Sequence, residues 1–493
     1  METSAAGERH SETAARGEAL MSHRPLYKKS PHCGVKIFLM MVLGIALALA
    51  SYERLAGFHA EEIVRNSVLK AKTFAAPVQE IVSARGIKAY LLEDKTNPII
   101  SMSFLFENGG WAHDRADRQG AAKMTAAMLG EGAGKYDSQV WKEALESKAI
   151  GISFSAGKDD FSGSLLTTTE NAPTAFEMLR LALSEPRFDQ ADTDRVRALM
   201  LEVLRRQKEH PADELGLIFE EELFKGHPYG RNPAGEAAAI RKLGRADLED
   251  VVRGRLAKDN LIVGIAGDIS AEAASKMLDE VFGSLPEKAK TAALGAPELA
   301  FSGTTAQISR KSGQNIVRFA APGAARNDAD FYPLFIANYI VGGSGLSSRL
   351  SKAIREDKGL TYGVYSYQTL DDAVPLLQAG FSTTADNYGE AAELFKQQWQ
   401  LFGDKGVSAA ETEQAKNFLT ASYNLRFASI GNIADILAAM QKYNLGRDFL
   451  QKRNGYIEAV TVEQVNAAAA KYFNKDRLQG MALGSFDKET KEK

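Results

Sequence analysis

The hydrophobic positions of this chain change period along its length, and the changes predict a series of strands and helices. From Val78 to Gly110, apolar and β-branched residues alternate through turn residues, which predicts three successive strands. Further on, apolar residues recur every three to four positions, as on one face of a helix. The helices are predicted at Asp117–Leu129, Ser138–Ala149, Asn171–Leu183 and Ala191–Glu209, with a hairpin at Ile150–Thr169 and with Pro211 ending the last helix.

The same order of elements occurs twice. Arg245–Asp268, a periodic helix that leads into a strand, lines up without a gap on Thr461–Gly484. Ala112–Gly132 similarly resembles Ala325–Gly345, so the period is roughly 210 residues, far above the 20 to 50 of a solenoid repeat. We therefore predict a duplicated domain of the α+β class, in which two homologous halves each form an antiparallel sheet with helices packed on one face.

The composition of the chain suggests where its domains begin and end. The stretch 286–303 is rich in Pro, Ala and Gly and has the composition of a linker. Beyond it the predicted elements are strands at Thr304–Arg310 and Gln314–Ala321, helices at Asp330–Val341 and Ser347–Asp357, and a hairpin at Leu360–Ala385. The expected organisation is a signal peptide with an N-terminal extension (1–50), a lead-in segment (51–75), a first domain (76–285), the linker (286–303) and a second domain (304–488).

The N-terminal region has the features of a secretory signal. A basic flank precedes an apolar run of about fifteen residues, Ile37–Ser51, which is shorter than a membrane span and contains the small-residue site Ala48-Leu49-Ala50. We expect cleavage after Ala50 and a periplasmic location; the alternative is an uncleaved anchor in the inner membrane. Cleavage would remove Cys33, the only cysteine. The net charge of −3 argues against nucleic acid as a partner.

Two phrases give the chain a family resemblance. They are GHPYGRNPAG at Gly226–Gly235 and SSRLSKAIREDKGLTYGVYSY at Ser347–Tyr367. Together with the two duplicated halves, they resemble the insulinase/pitrilysin family of zinc peptidases, the inverzincins, over nearly the whole mature chain. The resemblance implies a clam-like arrangement of the two halves.

Active members of that family carry His-x-x-Glu-His on the first helix of the first half, with a distal Glu ligand further on. The histidines hold Zn²⁺ and the glutamate between them activates water. The resemblance places the two histidine positions on Lys123 and Ala127, the general base on Ala126, and the distal ligand on Val203, with Glu202 as the alternative. Lys123 is most simply a solvated or ion-paired residue; alternatively, it puts a cation where relatives hold zinc.

The histidine count leads to the same expectation without the family. After cleavage only His59, His113, His210 and His227 would remain, and no two of them lie within five residues of each other. We therefore expect no metal in this chain. An active enzyme with unfamiliar ligands is a remote alternative.

The second half keeps the residues that the family uses to contact substrate, whereas the first half lacks the residues that hold the metal. In this family an Arg and a Tyr seven residues apart reach toward the substrate, and the matching residues here are Arg355 and Tyr362. A guanidinium and a phenol suit stabilisation of the oxyanion on a scissile carbonyl. The glycines Gly342, Gly343 and Gly345 form either a flexible loop or, as in the mitochondrial processing relatives, a substrate-contacting loop.

These features resemble the non-catalytic subunit of heterodimeric members. The implied function is a peptide-binding subunit of a periplasmic zinc metallopeptidase, in which a paralogue with His-x-x-Glu-His holds the Zn²⁺ and this chain lends Arg355 and Tyr362. Peptides are the implied substrates. The alternative is a purely structural or peptide-holding member with no role in proteolysis.

Overall fold

The computed structural model describes residues 76–486. The predicted signal peptide and lead-in segment therefore lie outside the described residues, as do the last two residues of the predicted second domain. Within the described part, the strands are β1 (Gln79–Val82), β2 (Lys88–Glu93), β3 (Ile99–Phe106), β4 (Gly151–Ala156), β5 (Phe161–Thr168), β6 (Leu261–Gly267), β7 (Thr305–Ser309), β8 (Asn315–Pro322), β9 (Val364–Leu370), β10 (Pro375–Thr383) and β11 (Gln479–Gly484).

Helices connect and cover these strands. In the first half they are α1 (Ala121–Met128), α2 (Ser138–Ser147), α3 (Ala172–Ser184), α4 (Gln190–Glu209), α5 (Pro211–Leu223), α6 (Ala237–Ile240), α7 (Arg245–Arg255) and α8 (Ala271–Phe282). In the second half they are α9 (Phe331–Asn338), α10 (Tyr388–Lys405), α11 (Ala409–Ala421), α12 (Ile430–Lys442), α13 (Phe449–Glu458) and α14 (Val462–Tyr472).

The predicted α+β class is confirmed, with one sheet in each half. The first sheet has the order β1-β2-β6-β3-β5-β4 and the second the order β7-β11-β8-β10-β9. Both sheets are mainly antiparallel, but β2 pairs with β6, and β7 with β11, in parallel. The parallel strands β6 and β11 are the ones that close the two aligned repeat units, α7–β6 and α14–β11.

The predicted end of α4 just before Pro211 is confirmed, but a further helix that was not predicted begins at Pro211. His210 adopts an extended conformation (φ −94°, ψ 111°) that ends α4, and Pro211 then occupies the first turn of a further helix, α5. Proline fits there because the first turn of a helix needs no backbone N–H donor. Pro211 thus separates two helices, of which only the first was predicted.

The two halves exchange one helix each. In the first sheet one face packs on helices of its own half, while the other face packs on α12 of the second half through Leu92, Ala266, Ala434 and Leu437. The second sheet packs on its own helices through one face, and α5 of the first half packs on β8 and β11. The structure thus adds a second helical layer to the predicted single one, and this layer comes from the opposite half.

A glycine makes one of these contacts possible. A Cβ at Gly264, in the middle of β6, would lie 2.2 Å from the carbonyl oxygen of Ala434 and 2.6 Å from the amide nitrogen of Ala438. The backbone of α12 therefore lies against the bare backbone of β6. Gln441 strengthens the contact, since its side-chain amide donates to the carbonyl of Val263 at 2.6 Å.

The segment between α8 and β7 is irregular, with no helix or strand from 286 to 304. Lys258 N donates to the carbonyl of Pro286 at 2.9 Å, and Lys290 N donates to the carbonyl of Gly254 at 2.7 Å, so the segment is tied to the end of α7. Among residues 76–486, no helix is both long and apolar enough to cross a membrane.

Candidate functional site

The helix at the metal-motif position, α1, is anchored by a buried ion pair. Asp114 accepts hydrogen bonds from the amides of Gly120 (2.9 Å) and Ala122 (3.1 Å) at the start of the helix. The guanidinium of Arg255 pairs with the same carboxylate at 2.8 Å, and both side chains are buried. Burial raises the pKa of Asp114, whereas Arg255 opposes the rise. Side chains thus fix the N-terminus of α1, and no metal ligand takes part.

The motif positions on α1 face different surroundings. Ala126 is buried and Ala127 is exposed. Lys123 is half-buried, and its pKa is lowered by burial. Its ammonium makes no hydrogen bond or ion pair with any residue in 76–486. Lys123 is therefore the one charged group at these positions, and it is not ion-paired with the described residues.

The distal position lies on α4, which packs against α1. Val203 is 46% exposed. Glu202 pairs with Arg205 (2.7 Å) and Arg206 (2.9 Å), which hold the pKa of its carboxyl near 2. The alternative ligand is therefore already engaged by two guanidinium groups.

The histidines among residues 76–486 do not form a metal-binding group. Among residues 76–486, no group of three or more His, Cys, Asp or Glu is arranged to hold a metal ion. His227 bonds through Nε2 to the carbonyl of Gly295 (3.0 Å) and through Nδ1 to the amide of Tyr229 (3.2 Å). His113 is half-buried, and burial together with Arg255 lowers its pKa to about 4. These residues do not fit a zinc site.

Arg355 and Tyr362 lie at two ends of a short, fixed segment. Arg355 is half-buried in the π-helical turn Ser351–Glu356, while Tyr362 is 84% exposed in the loop before β9. Gly359, at φ +66°, reverses the chain between them. Neither the guanidinium nor the phenol makes a hydrogen bond or ion pair with any residue from 76 to 486. Both groups are free to bind something else.

The backbone around Tyr362 is held in place. Thr361 is buried, and its hydroxyl donates to the carbonyl of Ser382 at 2.6 Å and accepts from the amide of Gly363 at 3.1 Å. The hydroxyl of Thr383 donates to the carbonyl of Leu360 at 2.5 Å. The exposed phenol is thus carried by a loop fixed to the end of β10.

The glycines of the predicted loop differ in their surroundings. Gly342 is buried against β9, because a Cβ there would lie 2.3 Å from the hydroxyl oxygen of Ser366. Gly343 and Gly345 are exposed, and Gly345 has φ +63° and open space around it. Leu346 follows and is 60% exposed. Only the second part of the segment is an open loop.

The chain resembles several known proteins in sequence. Residues 242–419, which include Arg355, Tyr362 and the glycine loop, match the family model described as Peptidase M16 inactive domain. This part of the chain is therefore similar to peptidase M16 inactive domains. The chain is 26% identical over 380 residues to the non-peptidase homologue YmxG of Helicobacter pylori, which covers 75% of this chain and 86% of that protein.

Two solved structures and a mitochondrial protein extend the comparison. An M16 inactive-domain protein of Pseudomonas fluorescens superposes with a TM-score of 0.78 at 27% identity, covering 83% of this chain and 98% of that one. The periplasmic protease PqqL of Escherichia coli shares the fold, with a TM-score of 0.72 at 16% identity over 84% of this chain and 46% of its own. A probable mitochondrial-processing peptidase subunit beta of Schizosaccharomyces pombe is 26% identical, over 64% of this chain and 71% of its own. The replaced motif positions and the match to an inactive domain together support a non-catalytic role for this chain.

The sequence did not predict the contact between the two hairpin turns of this chain. The turn of the β4–β5 hairpin meets the turn of the β9–β10 hairpin. Tyr229 lies between them: its hydroxyl donates to the carboxylate of Asp159 and accepts from the amide of Ala373 at 3.0 Å. The amide of Asp372 donates to the other oxygen of Asp159 at 3.0 Å. The two halves are joined here by polar contacts.

Two largely buried lysines complete this contact. Lys158 of the first half pairs with Asp371 of the second at 2.7 Å. Lys442, at the end of α12, pairs with Asp160 of the first half and with Asp372 at 3.0 Å. A signal was present in the sequence, since the corresponding turns of both hairpins carry Asp-Asp, as Asp159-Asp160 and Asp371-Asp372.

Proposed function

We propose that this chain is the non-catalytic, peptide-binding subunit of a heterodimeric periplasmic zinc metallopeptidase. In this proposal a paralogous subunit with His-x-x-Glu-His holds the Zn²⁺, and Arg355 and Tyr362 act on the substrate at that site. The observation that supports the proposal is that these two side chains lack hydrogen-bonding and ion-pairing partners among the described residues. Tyr362 also projects from a fixed loop.

Electrostatics supports this role for the pair. A guanidinium and a phenol O–H that are already positioned need no reorganisation when negative charge develops on a scissile carbonyl. Arg355 and Tyr362 have no hydrogen-bonding partner in residues 76–486 that would have to be displaced first. A purely structural Arg or Tyr would more commonly be bound to a neighbouring group, as Arg255 is bound to Asp114.

The descriptions of two relatives support a peptidase as the setting of the proposed role. The Schizosaccharomyces pombe relative is described as a subunit of a processing peptidase. The Escherichia coli structural relative is described as a periplasmic protease. Together with the expected secretory signal, these descriptions support a periplasmic peptidase complex as the setting for this chain.

The test uses the full chain with and without its partner. The chain alone should bind no stoichiometric zinc by elemental analysis and should cleave no peptide. With the partner, Arg355→Ala and Tyr362→Phe should each lower kcat about 10²- to 10³-fold, as removal of one oxyanion donor does. Assembly, measured by analytical ultracentrifugation, should be unchanged.

Two control variants match the chemistry of the changes. Arg241→Ala removes an exposed arginine of the first half, and Tyr456→Phe removes a phenol O–H from a tyrosine that is 42% exposed on α13. Both should leave kcat unaltered. If Arg355→Ala and Tyr362→Phe behave like these controls, the structural alternative holds and the shared site is ruled out.

A further inference from the structure

One face of the second sheet packs on α5 at β8 and β11, and on the same face the edge strand β9 exposes aromatic side chains. Tyr365 and Tyr367, on the edge strand β9, point to this side and are 44% and 42% exposed. Their rings stack with centroids 6.0 Å apart. The hydroxyl of Tyr367 donates to Gln378 at 2.8 Å, whereas that of Tyr365 makes no hydrogen bond with residues 76–486. The Tyr365 phenol is a free donor.

A glycine lets this phenol reach across the sheet. Tyr365 on β9 is paired with Gly380 on β10, which in turn is paired with Arg318 on β8. Residues that are directly paired across antiparallel strands share one face of the sheet. A Cβ at Gly380 would lie 2.8 Å from the hydroxyl oxygen of Tyr365 and 3.1 Å from its Cζ. The tyrosine ring therefore lies over Gly380, and its hydroxyl is directed toward the strand that carries Arg318.

The guanidinium of Arg318 is positioned but not paired. It packs against the backbone of α5, because a Cβ at Gly216 would lie 3.1 Å from its Cζ and 3.2 Å from both terminal nitrogens. Arg318 makes no hydrogen bond or ion pair with the described residues. Glu220, one turn further along α5, is bound by Lys158 at 3.3 Å, and the charge of Arg318 also attracts its carboxylate without forming an ion pair. Arg318 is half-buried, and its N–H groups remain available.

We infer that Arg318 and Tyr365 form a binding site for the acidic side chain of a peptide that lies over the open face of β9 and β10. The two donors, one of them a planar cation, share one face of the sheet and lie on strands either side of Gly380. This arrangement suits a carboxylate, which accepts two or more hydrogen bonds. The stacked tyrosines beside them offer apolar surface to the neighbouring residues of the peptide. This inference rests on the proposed peptide-binding function and names a preference within it.

The experiment measures peptide binding by the full chain without its partner. Two pools of fluorescent peptides of about twelve residues are compared, blocked at both ends and identical except for a central Glu in one and Gln in the other. By fluorescence anisotropy, the Glu pool should bind wild type about tenfold more tightly, as expected for a charge-assisted hydrogen bond. Arg318→Gln should remove the preference, Arg318→Lys should retain part of it, and Tyr365→Phe should reduce it. The control Arg241→Gln should not alter it.

The possible outcomes separate the inference from the function on which it rests. If both pools bind equally well to wild type, the chain binds peptides but the acidic preference is refuted. If the preference survives Arg318→Gln, the site is elsewhere and the inference is again refuted. A preference seen only when the peptide C-terminus is unblocked assigns the site to a terminal carboxylate and overturns the acidic side chain. Absence of binding by both pools contradicts the peptide-binding function itself.

Discussion

Lys442 provides the sharpest test of how the halves are held together. It lies at the end of α12, the helix that the second half contributes to the first sheet, and its ammonium binds Asp160 and Asp372. Lys442 is only 11% exposed. These carboxylates raise the pKa of Lys442, which burial alone would lower. Lys442→Met keeps most of the apolar stem and removes the charge.

The expected loss follows from the carboxylates that remain. Burial raises the pKa of Asp160, Asp372 and Glu107, and Lys442 opposes that rise in each. Removing one partner from a buried ion pair costs about 3 to 5 kcal/mol, because the other charge stays buried without compensation. We therefore expect Lys442→Met to lower the free energy of unfolding by about 4 kcal/mol at pH 8.

The loss should depend on pH with a definite sign. Without the ammonium, the carboxyl pKa values in the folded variant rise further above their unfolded values. A group with a raised folded pKa binds more protons in the folded state, so the stability of the variant increases as the pH falls. The difference from wild type should therefore shrink to roughly half by pH 5.

Urea denaturation at several pH values between 5 and 8 measures both effects. The matched control is Lys452→Met, which removes an ion pair to Asp448 on the exposed surface of α13 and should leave the unfolding midpoint unchanged. A loss below about 1 kcal/mol, or one of the same size at every pH, would refute the reasoning, because the carboxylates would then not depend on Lys442.

Two further predictions concern the first sheet and the motif region. Gly264→Ala should lower the free energy of unfolding by about 3 kcal/mol, because the added Cβ would collide with the backbone of α12. The control Gly455→Ala, in open space on α13, should raise the free energy of unfolding slightly, and the urea midpoints of the two variants measure the difference. The pKa of His113 is lowered to about 4 in the folded chain, so His113 stays neutral there while the unfolded chain takes up a proton. The free energy of unfolding is therefore fully retained above pH 6.5 and decreases as the pH falls toward 4. His113→Gln should remove up to about 3 kcal/mol of that acid-side loss, and an unchanged pH profile of the thermal midpoint would contradict this.

The sequence predicted most strands and helices because their local signals agree with the structure. The first three strands and both hairpins follow from alternation, and α4 ends at the predicted Glu209 and begins one residue before its predicted start. The aligned repeats identified α7–β6 and α14–β11 as equivalent units. These features depend on short stretches of chain, where one apolar face determines the element.

The helix exchange could not be predicted in the same way. The apolar residues of α12 indicate that the helix is buried, but not which sheet it covers; only the close approach to Gly264 decides that. Arg355 and Tyr362 were found through family phrases, yet their lack of partners is a property of the folded chain. The same holds for Arg318, whose neighbours Gly216 and Gly380 lie far from it in sequence.

The exchange of α5 and α12 also bears on how such a chain could arise. If each half descends from one ancestral copy, that copy alone would have left one face of its sheet bare, and two copies could have covered each other by exchanging a helix. Joining two such copies end to end reproduces the connectivity seen here, with the irregular stretch before β7 as the joint. A fused homodimer of this kind is free to lose chemistry from one copy while keeping it in the other, because each copy continues to stabilise its neighbour.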